Sequence, residues 1–283
     1  MRWIKKPFLR VLFCIGSVIL SIAITIGSLY GLLLGWAMVE DTKNAYIAKT
    51  IIDPKAEAYI AAQYPGNDFI VEDAYSVFKD NCYRVKVHSQ SSPDTYFALD
   101  YHYKTYDLER DGFDTSVTSG SNTRSRIVKE YQELVEESLS SIPGLDALRT
   151  DFTVYSENGS PSDHFSPDGL DKSTLILDHN YDVAAMGADY GDLEITILEE
   201  AENVNIQRYL EILTEIDKKL TQDGIGYSLI KITLKDAWYP DTTQEFYIYG
   251  VTPEDLHCDD PLARLQQMWD EQEANRQAIK NGY

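Results

Sequence analysis

The chain has 283 residues and a formal net charge of −21, from 46 acidic and 25 basic side chains. All of the acidic residues but only 21 of the basic ones follow Val39, so the region after it carries a charge of −25. Such a region repels nucleic acid, which excludes nucleic acid as a partner. The chain also holds 20 Tyr and 9 Phe, most of them after the same point, so this region can bury a core.

The first predicted element is a transmembrane helix over residues 11–39, because no charged side chain occurs between Arg10 and Glu40. This stretch is long enough to cross a hydrocarbon core of about 30 Å. A basic tail, residues 1–10, precedes it and acidic residues follow it, so the positive flank is expected in the cytoplasm. We therefore expect a single-pass cell-membrane protein with a retained signal-anchor and extracytoplasmic C-terminal domains.

Small residues recur at every fourth position within this predicted span. Ala23, Gly27, Gly31 and Gly35 would form one stripe on the helix and include two overlapping GxxxG units. Such stripes allow two transmembrane helices to approach closely, which predicts a homodimer or association with a membrane partner through the span. The general abundance of glycine in transmembrane helices is the alternative explanation.

The first extracytoplasmic domain is predicted over residues 40–145. Asp53 and Pro54 begin a helix that stops at Tyr64, which precedes Pro65. Segments rich in β-branched and aromatic residues then predict an antiparallel meander, with strands over 69–78, 83–87 and 95–103. A further helix is predicted from about Thr123 to the Pro-Gly pair at 143–144.

The second extracytoplasmic domain is predicted over residues 150–283. Its apolar segments predict strands near 152–155, 173–178, 193–198, 227–234 and 244–251. Two amphipathic helices are expected, one from Ile206 to the Asp-Gly pair at 223–224 and a C-terminal one from about Pro261. Because strands and helices do not alternate regularly, we predict an α+β fold with two small helix-plus-antiparallel-sheet domains rather than α/β.

Two cysteines, Cys82 and Cys258, lie outside the span and could form a disulfide in an oxidising compartment, although two small buried thiols fit equally well. The loop 107–118 begins like an EF-hand, with acidic residues at alternate positions before Gly112, but Thr118 occupies the position of the bidentate Glu. Weak calcium binding and an ordinary solvated turn both remain open there.

No catalytic, metal-binding or cofactor-binding constellation is evident. The five histidines are scattered, without the H-E-x-x-H spacing of zinc enzymes, and no G-x-S-x-G elbow occurs. The sequence therefore predicts no catalytic residue, no metal and no cofactor.

Several segments resemble the YfjL-like membrane-anchored proteins of Gram-positive bacteria, an uncharacterised family. The resemblance is carried by Tyr64-Pro65-Gly66 after a helix, the strand Tyr83-Arg84-Val85-Lys86-Val87, the run at 95–99 and the helix with Arg126 and Tyr131, and it is best over residues 1–140. It implies an extracytoplasmic location and a first domain similar to cystatin or PepSY modules.

These observations together predict an uncharacterised membrane-anchored envelope protein that acts as a non-enzymatic binding module. Its ligand would be a protein, a peptide or a cell-wall component. The alternatives are an accessory or sensory subunit of a membrane complex that associates through the glycine stripe, and a cell-envelope enzyme.

Overall fold

The computed structural model describes residues 26–28, 39–152, 169–237 and 245–280. The described chain forms two compact units. The first comprises the residues up to 92 together with 96–113, and the second comprises 93–95 and the residues from 114 onward. The main boundary between the two units therefore lies between residues 113 and 114, whereas the domain boundary predicted from the sequence lies between residues 145 and 150.

The first unit begins with helical residues 39–47, a π-helical turn at Ala48–Ile52 and helix α1 at Asp53–Gln63. Pro54 suits the first turn of α1, where a backbone N–H has no helical partner. The chain leaves the helix at Tyr64, and Gly66 supplies a left-handed turn with φ of 86°. The predicted helix and its end are confirmed.

The sheet of the first unit is entirely antiparallel. Its strands are β1 Phe69–Val71, β2 Tyr75–Val77, β3 Cys82–Ser89, β4 Tyr96–His102 and β5 Leu108–Asp111. Their order is β1-β3-β4-β5, and β2 also pairs with β3. Alternate strand residues such as Val85 and Leu99 are fully buried. The α1 residues Ala56 and Ile60 are also buried, with exposures of 0% and 7%. The antiparallel pairing is confirmed, but the predicted strand 69–78 is two short strands, β1 and β2, which both pair with β3, and β5 is an additional strand.

The second unit contains a four-stranded sheet of β6 Leu145–Phe152, β7 Gly191–Glu199, β8 Leu229–Asp236 and β9 Glu245–Tyr247. The strands lie in sequence order, but β7 and β8 pair in parallel. The expectation of a purely antiparallel sheet was therefore wrong. A helix between β7 and β8, described next, provides the crossover that a parallel pair requires. The mixed α+β class holds.

The helices of the second unit are α2 Ser121–Leu139, α3 Val183–Tyr190, α4 Ile206–Asp223, the short α5 Pro253–Leu256 and α6 Pro261–Lys280. Helix α4 is the crossover. Asn205 caps it by accepting a hydrogen bond from the Arg208 backbone N–H at 3.0 Å, and Gly224 ends it with φ of 71°. The predicted bounds of this helix are confirmed.

Helix α2 explains why the unit boundary differs from the predicted one. Its apolar face, Ile127, Tyr131, Val135 and Leu139, is at most 1% exposed and belongs to the core around the second sheet. The helical periodicity indicated a buried face but not the sheet against which it packs.

Further segments of the second unit differ from the prediction. Strand β6 shares only Phe152 with the strand predicted near 152–155, whose other residues lie outside the described ones. The predicted strand at 173–178 is a 3₁₀ turn, Lys172–Thr174, followed by irregular chain, because the Asp171 carboxylate accepts hydrogen bonds from the Ser173 backbone and hydroxyl. Helix α3 was not predicted. It approaches the neighbouring chain so closely that a Cβ on Gly187 would lie 2.1 Å from the Gly226 carbonyl oxygen.

Asp94 is the centre of a buried ionic network in the second unit. Its carboxylate is fully buried and accepts hydrogen bonds from Arg126 Nε at 2.7 Å and Nη2 at 3.1 Å. The Asp178 backbone N–H donates to the same carboxylate at 2.9 Å. Burial alone would raise the pKa of Asp94, but these donors hold it below its ordinary value.

The predicted transmembrane segment, residues 11–39, lies outside the described residues except for 26–28 and 39. Within the described ranges, no helix combines the length and the apolar character needed to cross a bilayer. The first unit has the expected helix-and-sheet composition, but its finer likeness to cystatin or PepSY modules is not confirmed.

Candidate functional site

An open cavity of about 410 Å³ lies on the second sheet. Strands β6, β7 and β8 contribute its floor, and residues after β9 form one wall. The lining residues are Arg149, Thr150, Asp151, Asp192, Glu194, Leu229, Ile230, Lys231, Tyr249 and Gly250. We call this cavity the sheet cleft.

Strand alternation explains why charged side chains line the sheet cleft. In β7 the residues Leu193, Ile195 and Ile197 are buried in the core, so the intervening Asp192 and Glu194 point to the opposite face. That face is the outer face of the sheet.

The register places Glu194 between two cations. It is the cross-strand partner of Arg149 on β6 and of Lys231 on β8. Lys231 Nζ forms an ion pair with the Glu194 carboxylate. Glu194 is therefore neutralised within the sheet.

The next row of cross-strand partners contains no cation to balance its carboxylates. Asp192 lies opposite Asp151 on β6 and opposite Leu229 on β8. Like charges directly opposite one another destabilise a sheet. Asp151 is relieved by an ion pair with Arg124 of α2, which leaves Asp192 without a cation in its own row.

Asp192 is the carboxylate of the sheet cleft with the most perturbed acidity. Burial, followed by the charges of Asp151 and Glu194, raises its pKa from the ordinary value to about 6. Lys231 acts in the opposite direction but does not compensate. Among the described residues, no hydrogen bond or ion pair engages its side chain.

The Tyr249 ring forms part of the wall of the sheet cleft beside Lys231, and Tyr247 of β9 lies next to it. The Lys231 ammonium lies 4.6 Å from the ring centroid of Tyr249 and 5.5 Å from that of Tyr247. The two rings meet edge to face at 5.1 Å. Burial lowers the pKa of Lys231, but the ion pair with Glu194 outweighs it and raises the pKa above the ordinary value. We call Glu194, Tyr247 and Tyr249 the ammonium cage.

The residues proposed from sequence lie elsewhere. Only Gly27 of the transmembrane stripe is among the described residues, and Ala23, Gly31 and Gly35 are outside them. Cys82 is buried in β3, Cys258 is exposed, and both are free thiols. The disulfide considered from sequence is thus not formed in the structure.

The loop 107–118 does not have the form of a calcium-binding loop. Residues 108–111 belong to β5, and Asp114–Thr118 form a π-helical turn. The Asp111 carboxylate accepts hydrogen bonds from the hydroxyl groups of Tyr59 and Tyr64, each at 2.8 Å. Across the described ranges, no group of three or more His, Cys, Asp or Glu side chains is arranged to hold a metal ion.

Sequence reasoning missed the sheet cleft. A usable signal was present, because Asp192 and Glu194 alternate with large aliphatic residues and Lys231 does the same on β8. The pairing of Asp192 with Asp151, which makes the first carboxylate unusual, depends on a register that a single strand does not reveal.

Comparison with known proteins concerns mainly the second unit. The model of the YfjL-like C-terminal domain matches residues 130–265, a range that includes every residue lining the sheet cleft. No curated protein matches the sequence. A DUF5037 family protein from Ruminococcus gnavus aligns over 76% of this chain and 87% of its own at 14% identity, with a TM-score of 0.21, which is too low to conclude a shared fold. Residues 130–265 of the chain therefore form a YfjL-like C-terminal domain.

Proposed function

We propose that this protein is a membrane-anchored, non-enzymatic binding protein of the cell envelope, and that its sheet cleft binds a cationic group of a partner. The anchor would be the uncharged segment 11–39, whose basic flank favours a cytoplasmic N-terminus and extracytoplasmic units. The partner would be a protein, a peptide or a wall component that carries amines.

The observation that carries the binding proposal is the uncompensated carboxylate of Asp192. A partly buried charge without a partner is costly, and the opposing Asp151 increases that cost. A cationic group of a ligand would supply the charge that the sheet lacks in this row. The strongly acidic composition of the region after Val39 would also attract such ligands over longer distances.

One observation favours an envelope enzyme as a second candidate. A carboxyl group in a cleft with a pKa of about 6 could serve as a general acid. We place binding first because the neighbouring carboxylates are engaged as counterions, Glu194 by Lys231 and Asp151 by Arg124. Hydrolytic chemistry with paired carboxyl groups needs a second available carboxylate.

Binding is tested with a fluorescein-labelled tri-lysine peptide and the purified full-length protein in detergent micelles. We expect saturable binding that Asp192→Asn weakens by about tenfold. The matched control is Glu215→Gln, which makes the same charge change on an exposed position of α4. Equal affinities of the two variants, or no saturation with the wild-type protein, would refute a cation site at Asp192.

The location of the units is tested with the exposed thiol of Cys258. A membrane-impermeant maleimide added to intact cells should label this residue, and Cys258→Ser should remove the label. The buried Cys82 should react only after unfolding. Labelling that requires cell lysis would place the second unit on the cytoplasmic side.

A further inference from the structure

The ammonium cage gives the sheet cleft a second feature beyond the uncompensated Asp192. Lys231 extends from β8, and its ammonium meets the Glu194 carboxylate and the faces of two tyrosine rings. A carboxylate combined with aromatic faces is a recurring way for proteins to recognise alkylammonium ions. The cleft thus contains a complete alkylammonium site that is filled by the protein itself.

We propose that the ammonium cage is a ligand subsite for alkylammonium groups, and that Lys231 occupies it as an internal competitor which the ligand displaces. This inference rests on the proposed function in assuming that the sheet cleft binds a cationic ligand. It adds the chemical class of the ligand's cationic group, a primary amine on an alkyl chain. It also adds competition by Lys231, which limits the affinity for the ligand.

The exposure of the cage allows such an exchange. The side chain of Lys231 is 20% exposed and that of Glu194 is 46% exposed, so both groups reach solvent. Tyr249 is 39% exposed. A displaced lysine can extend its flexible four-carbon stem into water, which limits the cost of leaving the cage.

The rings beside the cleft attract a cation at a second position. The Arg276 guanidinium of α6 lies 4.9 Å from the ring centroid of Tyr247 and 4.7 Å from that of Trp269. The Arg276 side chain pairs with Glu273 on its own helix and is not among the residues lining the sheet cleft, whereas Lys231 lines it. The exchangeable occupant of the aromatic wall is therefore Lys231.

The first test compares two lysine variants for binding of the labelled tri-lysine peptide. Lys231→Met removes the competing charge but keeps an unbranched side chain of similar length. Lys218→Met makes the same change of net charge at an exposed position on α4. We expect Lys231→Met to bind about tenfold more tightly than Lys218→Met, because the cage is then empty. Equal or weaker binding would overturn the inference.

Should Lys231→Met fail to fold, Lys231→Gln takes its place in the same comparison. The wild-type protein could bind the peptide saturably and in a manner that depends on Asp192, while removal of Lys231 gives no gain in affinity. That result would support the proposed function and overturn only the role of Lys231 as an internal competitor.

A second test needs no knowledge of the natural ligand. Propylammonium, the amine alone, is added to Lys231→Ala, in which the cage is vacant, and the midpoint of thermal unfolding is followed. We expect a clear rise in Tm for this variant and a smaller one for the wild-type protein, with sodium chloride at equal ionic strength as the control. Equal shifts in both proteins would refute the cage.

The two tests also separate the inference from the proposed function. Rescue by propylammonium without any tri-lysine binding would confirm the subsite and refute the choice of a cationic peptide as the ligand.

Discussion

Replacing Asp192 by Asn should make the protein more stable at neutral pH. Asn is similar in shape and carries no charge, so it removes the repulsion with Asp151 and the cost of burying a carboxylate. The pKa of Asp192 is raised to about 6 from an ordinary value near 4, and each unit corresponds to about 1.4 kcal/mol. Because the site is partly open to solvent, we reduce the expected gain to about 1–2 kcal/mol.

The pH dependence has a defined sign. The folded-state pKa of Asp192 lies above the unfolded one, so the folded state binds the proton more tightly. Stability is therefore lost as the pH rises from about 4 through about 6, and at pH 7 the full penalty applies. The gain from Asp192→Asn should be complete at about pH 7.5 and should largely vanish at about pH 3, below the ordinary pKa, where both states are protonated.

Guanidinium unfolding followed by tryptophan fluorescence measures this difference at the two pH values. Glu215→Gln is the control and should change the free energy of unfolding by less than about 0.5 kcal/mol. A loss of stability at neutral pH for Asp192→Asn would show that this carboxylate has a stabilising partner, and the reasoning about an uncompensated row would then be wrong. A variant that is more stable but binds the cationic peptide less tightly would instead identify Asp192 as a group kept for binding at the expense of stability.

Two further predictions concern the core of the second unit. Asp94→Ala should lower the free energy of unfolding by about 3 kcal/mol, since it removes the buried carboxylate that accepts two hydrogen bonds from Arg126, whereas Glu211→Ala at an exposed pair should cost less than about 1 kcal/mol. Folding lowers the pKa of Asp94, so its contribution to stability is present when the pH is above the unfolded-state pKa and is lost as the pH falls through the folded-state pKa. Acid unfolding curves should show this loss of stability for the wild-type protein but not for the alanine variant. Gly187→Ala should cost about 2–3 kcal/mol in the same assay, because its methyl group would collide with the Gly226 carbonyl, and an unchanged Tm would contradict the close approach.

Elements with a strong local signal were predictable from sequence. Helix α1 follows from a proline in its first turn, and helix α4 follows from apolar periodicity and a glycine at its end. The segment 173–178 was misassigned because its apolar residues suggest a strand, yet Ile176 is 64% exposed. Helix α3 has only eight residues and includes a glycine, so its local signal is weak.

Features that depend on partners distant in sequence were not predictable. The apolar face of α2 indicated burial but did not reveal which sheet covers it. The parallel pairing of β7 with β8 depends on where α4 returns the chain, and the acidity of Asp192 depends on the residue opposite it in β6. Such pairings are properties of the assembled sheet.

The parallel pair has a consequence for the order in which the second unit folds. Residue 192 pairs with residue 229, so β7 cannot complete its ladder until α4 has formed and closed the intervening loop. Contacts between residues that are far apart in sequence slow folding, because the entropy of loop closure is lost before the ladder forms. The sheet cleft needs both the parallel pair and the β6-β7 pair, in which Phe152 lies opposite Gly191 across a similarly long stretch of chain. Refolding should therefore restore helical circular dichroism before it restores any binding of cationic peptide, with the cleft as one of the last features to form.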